Sequence, residues 1–333
     1  MSDTTNIRPA RTAELPTLAK LIATQLPDMM AAQKRPGTIE SHLARLIPDQ
    51  SLIIATADNR LTGLTAVDLD NCQVLACYLD PATASPETPR RLFRAAERLA
   101  LSYGARRLFC TAKTRVSGFM AGLGYEAVEK DEAAETSHAG PAPSEGLMVK
   151  NLLVKARPEL KALLARLDEF GLPHDYGISR RMPIIPEAST LVPIGRDILE
   201  RDQRLTPSAA TAWNRMRAAA AGRGVELQLV SAFRTVSYQT NLVQRKLDEG
   251  QSIHKILSVT AAPGYSEHHS GRAIDLTCPG QTPLEEEFAE STAYRWLKSN
   301  AGVYGFKESY PRNNRHRVQW EPWHWCYHHR PGR

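Results

Sequence analysis

No two cysteines of this chain stand at CxxC spacing, and the five present (Cys72, Cys77, Cys110, Cys278, Cys326) are an odd number. That pattern argues against a disulfide framework and for a reducing compartment. No run approaches the ~20 apolar residues that a membrane-spanning helix requires. The opening "MSDTTNIRPARTAELPTLAKLIATQL" has no basic stretch followed by an apolar core, so no secretory signal is expected there. These absences together predict a cytoplasmic protein.

A chain of 333 residues is long for one core, and two domains are the natural expectation. Hydrophobic residues make up 42% and charged residues 23%, as in ordinary globular proteins. Residues 1–154 hold 17 Lys+Arg against 17 Asp+Glu, so the net charge of +6 lies wholly in the remainder, with 25 against 19. The arginines of this basic half are scattered and not interleaved with aromatics, which disfavours a nucleic-acid partner. A solvated surface or a pocket for acidic substrates fits better.

Leu15, Leu18, Leu21 and Ile22 recur at helical spacing after Thr12, a candidate N-cap. "SLIIATADNRLTGLTAVDL" reads as two strands about an Asp58-Asn59 turn, and "CQVLACYLD" as a third. Pro89 can start, and Gly104 stop, a helix over "PRRLFRAAERLALSYGA". The strand "RRLFCTA", a short helix and "GLGYEAV" follow. The segment 129–146 lacks periodicity and is expected to be a flexible loop, with "LMVKNLLV" as one more strand. This organisation gives a first domain over 1–154, a connecting helix over 155–175 and a second domain over 176–333. In the latter, "TPSAATAWNRMRAAAAGRG" is predicted helical, with Thr206 as cap, and "VELQLVSAF" a strand.

Chemistry concentrates in two short stretches. "SEHHSGRAID" offers His268 or His269 together with Asp275; "QWEPWHWCYHH" offers Glu321 and His324 around Pro322. Two imidazoles and a carboxylate suit Zn²⁺, and a free glutamate could move a proton from the attacking water to the leaving amine. Separations of seven and three are odd, so an ideal strand would put each pair on opposite faces. Gly271 and Pro322 could supply the bends. By spacing alone, a structural hydrogen bond is the commoner reading of a lone pair, and two such pairs in one domain bring the functional reading close to even.

The patterns S-x-H-x-x-G-x-A-x-D (Ser266, His268, Gly271, Ala273, Asp275) and E-P-W-H (Glu321 to His324) resemble the VanY-type D-alanyl-D-alanine carboxypeptidases of the LAS group of zinc peptidases. "SAFRTVSYQ" (231–239) and "VYGFKESYP" (303–311) resemble two further elements of that family, in family order. The resemblance covers about 175–328. It implies one zinc ion per chain held by His268, Asp275 and His324, with Glu321 as general base and Arg234 near the substrate carboxylate or oxyanion. It suggests Ser266 and Gln239 as substrate hydrogen-bonders, and His269 as a mere neighbour. His254 and His316 read as surface positions, His328 and His329 as an exposed tail, and Trp320, Trp323 and Trp325 as walls of the metal site.

Residues 5–154 resemble the GNAT acyltransferase fold, with "NIRPARTAELPTLAKLI" like its opening and "FMAGLGYEAV" like a later segment. That fold cradles the pyrophosphate of acetyl-CoA on a glycine-rich loop. Here the corresponding "LDPATASPETPRRLF" has no glycine, Pro86 and Pro89 remove N–H donors, and Met120 stands where a tyrosine acid is often found. Acetyl-CoA is therefore not expected to bind. The expected class is α+β: a GNAT-like mixed sheet with flanking helices, then a LAS-type peptidase with a small antiparallel sheet and helices. The expected partner is a peptidoglycan-derived peptide or the dipeptide D-Ala-D-Ala. Two other readings are an acyl-CoA-dependent N-acetyltransferase whose second domain recognises cell-wall peptides, and a non-catalytic zinc-pocket binder.

Overall fold

The structure, a computed structural model, describes residues 5–25, 38–112, 114–128 and 144–328. Residues 129–143 of the predicted loop, and His329, lie outside them. The chain divides into two compact units, one of residues 1–161 and 174–181, the other of 162–173 and 182–333. It is a mixed α/β protein with several sheets. Among the described residues, no helix is long and apolar enough to cross a membrane.

The first unit contains β1 (Asn6–Pro9), α1 (Leu15–Gln25), α2 (Ile39–Leu46), β2 (Leu52–Ala57), β3 (Arg60–Asp68), β4 (Gln73–Leu79), α3 (Thr88–Ser102), β5 (Arg107–Thr111), α4 (Thr114–Gly122), β6 (Glu126–Ala127) and β7 (Leu147–Asn151). The sheet order is β1-β2-β3-β4-β5-β7-β6, antiparallel except for β4 with β5. A parallel neighbour needs a crossover, and α3 provides it. Asp58 and Asn59 both take positive φ (49° and 59°), giving the two-residue turn that joins β2 to β3. Alternation along β2 sends Leu52 and Ile54 to one core with Leu18, Ile22 and Leu43, and Ile53 and Ala55 to another with Leu92, Phe93 and Ala96 of α3. Thr12 is not the cap of α1. A 3-10 turn over Thr12–Glu14 precedes the helix, and the Glu14 carboxylate accepts the Arg11 N–H at 2.7 Å.

The stretch between β4 and α3 uses its own amide groups. Ala82 N–H donates to the Asp80 carboxylate, Thr83 and Ala84 N–H to the Asp80 carbonyl, and Ser85 N–H to the Thr88 hydroxyl.

The second unit receives α5 (Pro158–Glu169) from residue 162 onward, then β8 (Val192–Arg196), β9 (Asp202–Leu205), α6 (Pro207–Ala221), β10 (Gln228–Ser231), α7 (Val236–Asp248), α8 (Ile253–Val259), β11 (Ala273–Thr277), α9 (Thr292–Asn300), β12 (Phe306–Glu308) and β13 (His324–Tyr327). Its main sheet is wholly antiparallel, in the order β10-β11-β13-β12. Trp213, Met216 and Ala220 of α6 are buried in one core with Leu229, Ile274, Leu276 and Trp325 of the sheet. Pro207 opens α6 as expected, but the buried Thr206 hydroxyl makes no capping bond. Ile274 and Trp325 face this core, so their strand neighbours Asp275 and His324 face the other way.

Candidate metal centre

Asp275 and His324 are Cα partners across β11 and β13, and cross-strand partners project to the same face of a sheet. The odd separations are resolved outside the strands. His268 lies on a 3-10 turn (Glu267–Ser270) that ends at Gly271, whose φ of +62° is left-handed. A Cβ there would come within 2.8 Å of Leu191 Cδ2 as well, so glycine suits this bend on both counts. Glu321 precedes β13 in a turn closed by the His324 N–H donating to the Glu321 carbonyl at 3.0 Å, with Pro322 second in the turn. Both bends carry their side chains back to one place.

There, Asp275 stands between two imidazoles. His268 Nε2 is 3.1 Å from Asp275 Oδ2, and His324 Nδ1 is 2.9 Å from Asp275 Oδ1. The rings are 5.0 Å apart, nearly perpendicular, and all three residues are buried. One ligand atom from each lies within 4.8 Å of the others. His268 Nδ1 is 2.5 Å from the Ala232 carbonyl, so its N–H donates there and Nε2 turns toward Asp275. Glu321 Oε2 is 3.9 Å from His324 Nδ1. Arg234 Nη2 donates to Asp275 Oδ2 at 2.6 Å and lies 2.8 Å from His268 Nε2, while its Nε donates to Ser231 Oγ. Among the described residues, Arg234 Nη1 has no hydrogen-bond partner.

The environment separates the charge states of these groups. Burial pushes the Glu321 carboxyl up to about 7, the neighbouring His324 only partly opposing it. Burial also lowers His268 to about 4, helped by the Arg234 charge. Burial alone would raise Asp275, but His268, His324 and Arg234 outweigh it and hold the carboxyl well below the ordinary range. Burial would likewise lower His324, yet hydrogen bonds to Asp275 and Glu267 carry it up to about 10. Two imidazoles with anchored second nitrogens and one carboxylate form the nitrogen–oxygen donor set that zinc accepts, and the three fit such an ion.

Arg234, His268, Asp275, Glu321 and His324 thus converge. Gln239 is buried, its Nε2 donates to the Ala261 carbonyl at 2.8 Å, and among the described residues its Oε1 has no partner. Ser266 is buried as the N-cap of the 3-10 turn, without a side-chain capping bond. His269 is more than a neighbour: its Nδ1 is 2.7 Å from the Arg234 carbonyl and its Nε2 accepts the Gly264 N–H. Trp325 is not a wall of the site; it alternates to the core side of β13, its indole N–H donating to the Pro322 carbonyl. Trp320 donates to Glu308 beneath the Arg312 guanidinium. His254 and His328 are exposed, whereas His316 is half-buried and packs edge-on against Tyr310. Sequence reasoning passed over Glu267, whose Oε2 lies 2.9 Å from His324 Nε2. Its one signal was an acidic residue beside His268 in a stretch with an otherwise buried pattern.

Residues 202–330 match the model of the VanY family, D-alanyl-D-alanine carboxypeptidase. That match lies within the second unit and runs from β9 past the end of β13. The chain is 33% identical over 123 residues to "Putative carboxypeptidase YodJ" of Bacillus subtilis (strain 168), covering 36% of this chain and 44% of that protein. It is 31% identical over 119 residues to the D-alanyl-D-alanine carboxypeptidase of Enterococcus faecalis (strain ATCC 700802 / V583), covering 33% and 42% respectively. The chain thus spans less than half the length of these curated relatives. A solved structure of the LdcB LD-carboxypeptidase is 31% identical over 42% of this chain and 69% of that one, with a TM-score of 0.40. The VanY match contains the whole convergent set from Arg234 to His324.

Proposed function

We propose that the VanY-family domain is a zinc-dependent carboxypeptidase that removes a C-terminal D-amino acid, D-alanine, from peptidoglycan-type peptides or from a dipeptide. The observation that carries this reading is the buried His268–Asp275–His324 cluster beside a glutamate whose carboxyl is pushed up to about 7. The family match and the likeness to the D-alanyl-D-alanine carboxypeptidase of Enterococcus faecalis support the substrate class.

His268 Nε2, an Asp275 oxygen and His324 Nδ1 would hold one zinc ion. When bound, the ion supplies Lewis acidity that polarises the scissile carbonyl and favours ionisation of water. Glu321 takes a proton from the attacking water on a carboxylate oxygen and returns it to the leaving amine. Arg234, held by Ser231 and Asp275, directs its remaining donors at the substrate's terminal carboxylate or at the developing oxyanion. Ser266 and Gln239 are assigned to substrate hydrogen bonding, Gln239 through its unpartnered Oε1.

The first unit is read as a GNAT-like fold without acetyl-CoA as cofactor. The amides of the stretch between β4 and α3 that would meet a pyrophosphate already donate within that stretch. Saturable binding of acetyl-CoA to the full chain would reverse this part of the reading. Cell fractionation tests the cytoplasmic location expected from the sequence.

The deciding experiment incubates the protein with defined stem peptides ending in D-Ala-D-Ala or L-Lys-D-Ala, with zinc, then with a chelator, then with zinc restored. Zinc-dependent release of a single D-alanine is expected. Equal release in chelator, or none in zinc, rules the proposal out.

A further inference from the structure

Resting on the zinc reading above, we propose that Glu267 is a positioning residue that fixes which nitrogen His324 presents to the site. The two histidines are held in opposite senses. His268 is anchored at Nδ1 by the Ala232 backbone carbonyl and turns Nε2 inward. His324 is anchored at Nε2, where Glu267 Oε2 lies 2.9 Å away, and turns Nδ1 toward Asp275 Oδ1, also at 2.9 Å. A carboxylate only accepts, so Nε2 must carry its proton toward Glu267, and Nδ1, once the proton it shares with Asp275 is displaced, is the nitrogen whose lone pair a metal can use.

The holder is itself held. Ser309 Oγ donates to the same Glu267 oxygen at 2.5 Å. The Tyr310 ring lies against His324, centroids 5.0 Å apart at an interplanar angle of 33°. Rotating the imidazole by half a turn would exchange Nδ1 with a ring carbon and lose both polar contacts. One 3-10 turn, Glu267–Ser270, therefore supplies both the His268 imidazole and the group that orients the other. His268 is fixed by backbone, which no substitution removes. His324 is fixed by a side chain, so its orientation can be tested.

Glu267→Ala and Glu267→Gln are made in the full chain, and zinc affinity is measured by competition with a chelator of known affinity. Near-UV circular dichroism checks that each variant is folded. Loss of a partner of this kind typically weakens metal binding about 10–100-fold, and that range is expected for Glu267→Ala. The glutamine, which keeps size and one acceptor but not the charge, is expected to lose about tenfold and serves if the alanine variant does not fold. In a His324→Ala background, Glu267→Ala should cost nothing further. Wild-type zinc affinity in the folded variants would overturn the assignment, as would an equal loss with and without His324. A wild-type protein that binds no zinc would instead remove the metal reading itself, and the role of Glu267 with it.

Discussion

Asp275 and His324 face each other across β11 and β13, and Asp275 Oδ1 lies 2.9 Å from His324 Nδ1. This contact joins residues 49 apart in sequence. It places the carboxylate where His268 reaches it from the other side, 3.1 Å away.

Glu321→Gln removes the proton carrier while keeping the shape of the turn. The turnover number should fall by about 10²–10⁴-fold with zinc content unchanged. D-alanine release at the wild-type rate would disprove the role.

The same substitution should stabilise metal-free protein at alkaline pH. The Glu321 carboxyl sits at about 7 in the fold against an ordinary 4.5, so the folded state binds this proton more tightly. Stability from this group is therefore full below pH 4.5 and lost as pH rises through 7. At pH 8, Glu321→Gln should exceed wild type by roughly 3 kcal/mol, with most of the gap closed at pH 5. Denaturant titrations in chelator at both values check this; an equal gap at the two contradicts it.

On the proposed ligand set, zinc uptake displaces a proton from His324 Nδ1, and its neighbours hold that imidazole at about 10. Between pH 8 and 9.5, apparent zinc affinity should therefore rise about tenfold per pH unit. A flat profile in chelator competition would show that His324 is not the group exchanging proton for metal.

Arg234→Lys keeps the charge but loses the planar fork that reaches Ser231, Asp275 and His268 together. The specificity constant for stem peptides should fall about 10²-fold or more, while zinc is retained. Unchanged kinetics would mean the guanidinium serves structure alone.

Gly271→Ala forces a side chain into left-handed backbone, with Leu191, Ala188 and Thr206 within 3.2 Å of the new Cβ. A loss of about 1–3 kcal/mol is expected from the strain, with weaker zinc binding because His268 is displaced. Melting and chelator competition on the purified variant measure both.

Much of this is legible in the sequence. The Asp58-Asn59 turn, α3 from Pro89 and α6 from Pro207 follow from local rules, because turn and cap chemistry is written in adjacent residues. The residues proposed to hold the metal stand in recognisable motifs, yet spacing alone left them on opposite faces. A strand was the wrong frame: His268 lies on a 3-10 turn and Glu321 in a proline turn, so period two did not apply. The β8–β9 hairpin was invisible because its turn is built on polar contacts. Buried Asp197 accepts bonds from Leu199, Arg201 and Gln203, and a sequence with little apolar alternation gives no strand signal. Glu267 was missed for a different reason, since its partners Ser309 and His324 lie 42 and 57 residues away.

The Asp275↔His324 pairing has one more consequence. Side chains alternate at every residue of a strand, so sliding β13 against β11 by a single position would send His324 into the core and bring Trp325 out. The cluster can assemble in only one alignment of these strands. Any ion it binds would discriminate the native alignment from its nearest misfolded neighbour, so metal occupancy in this domain would also serve as a proofreading step for its sheet.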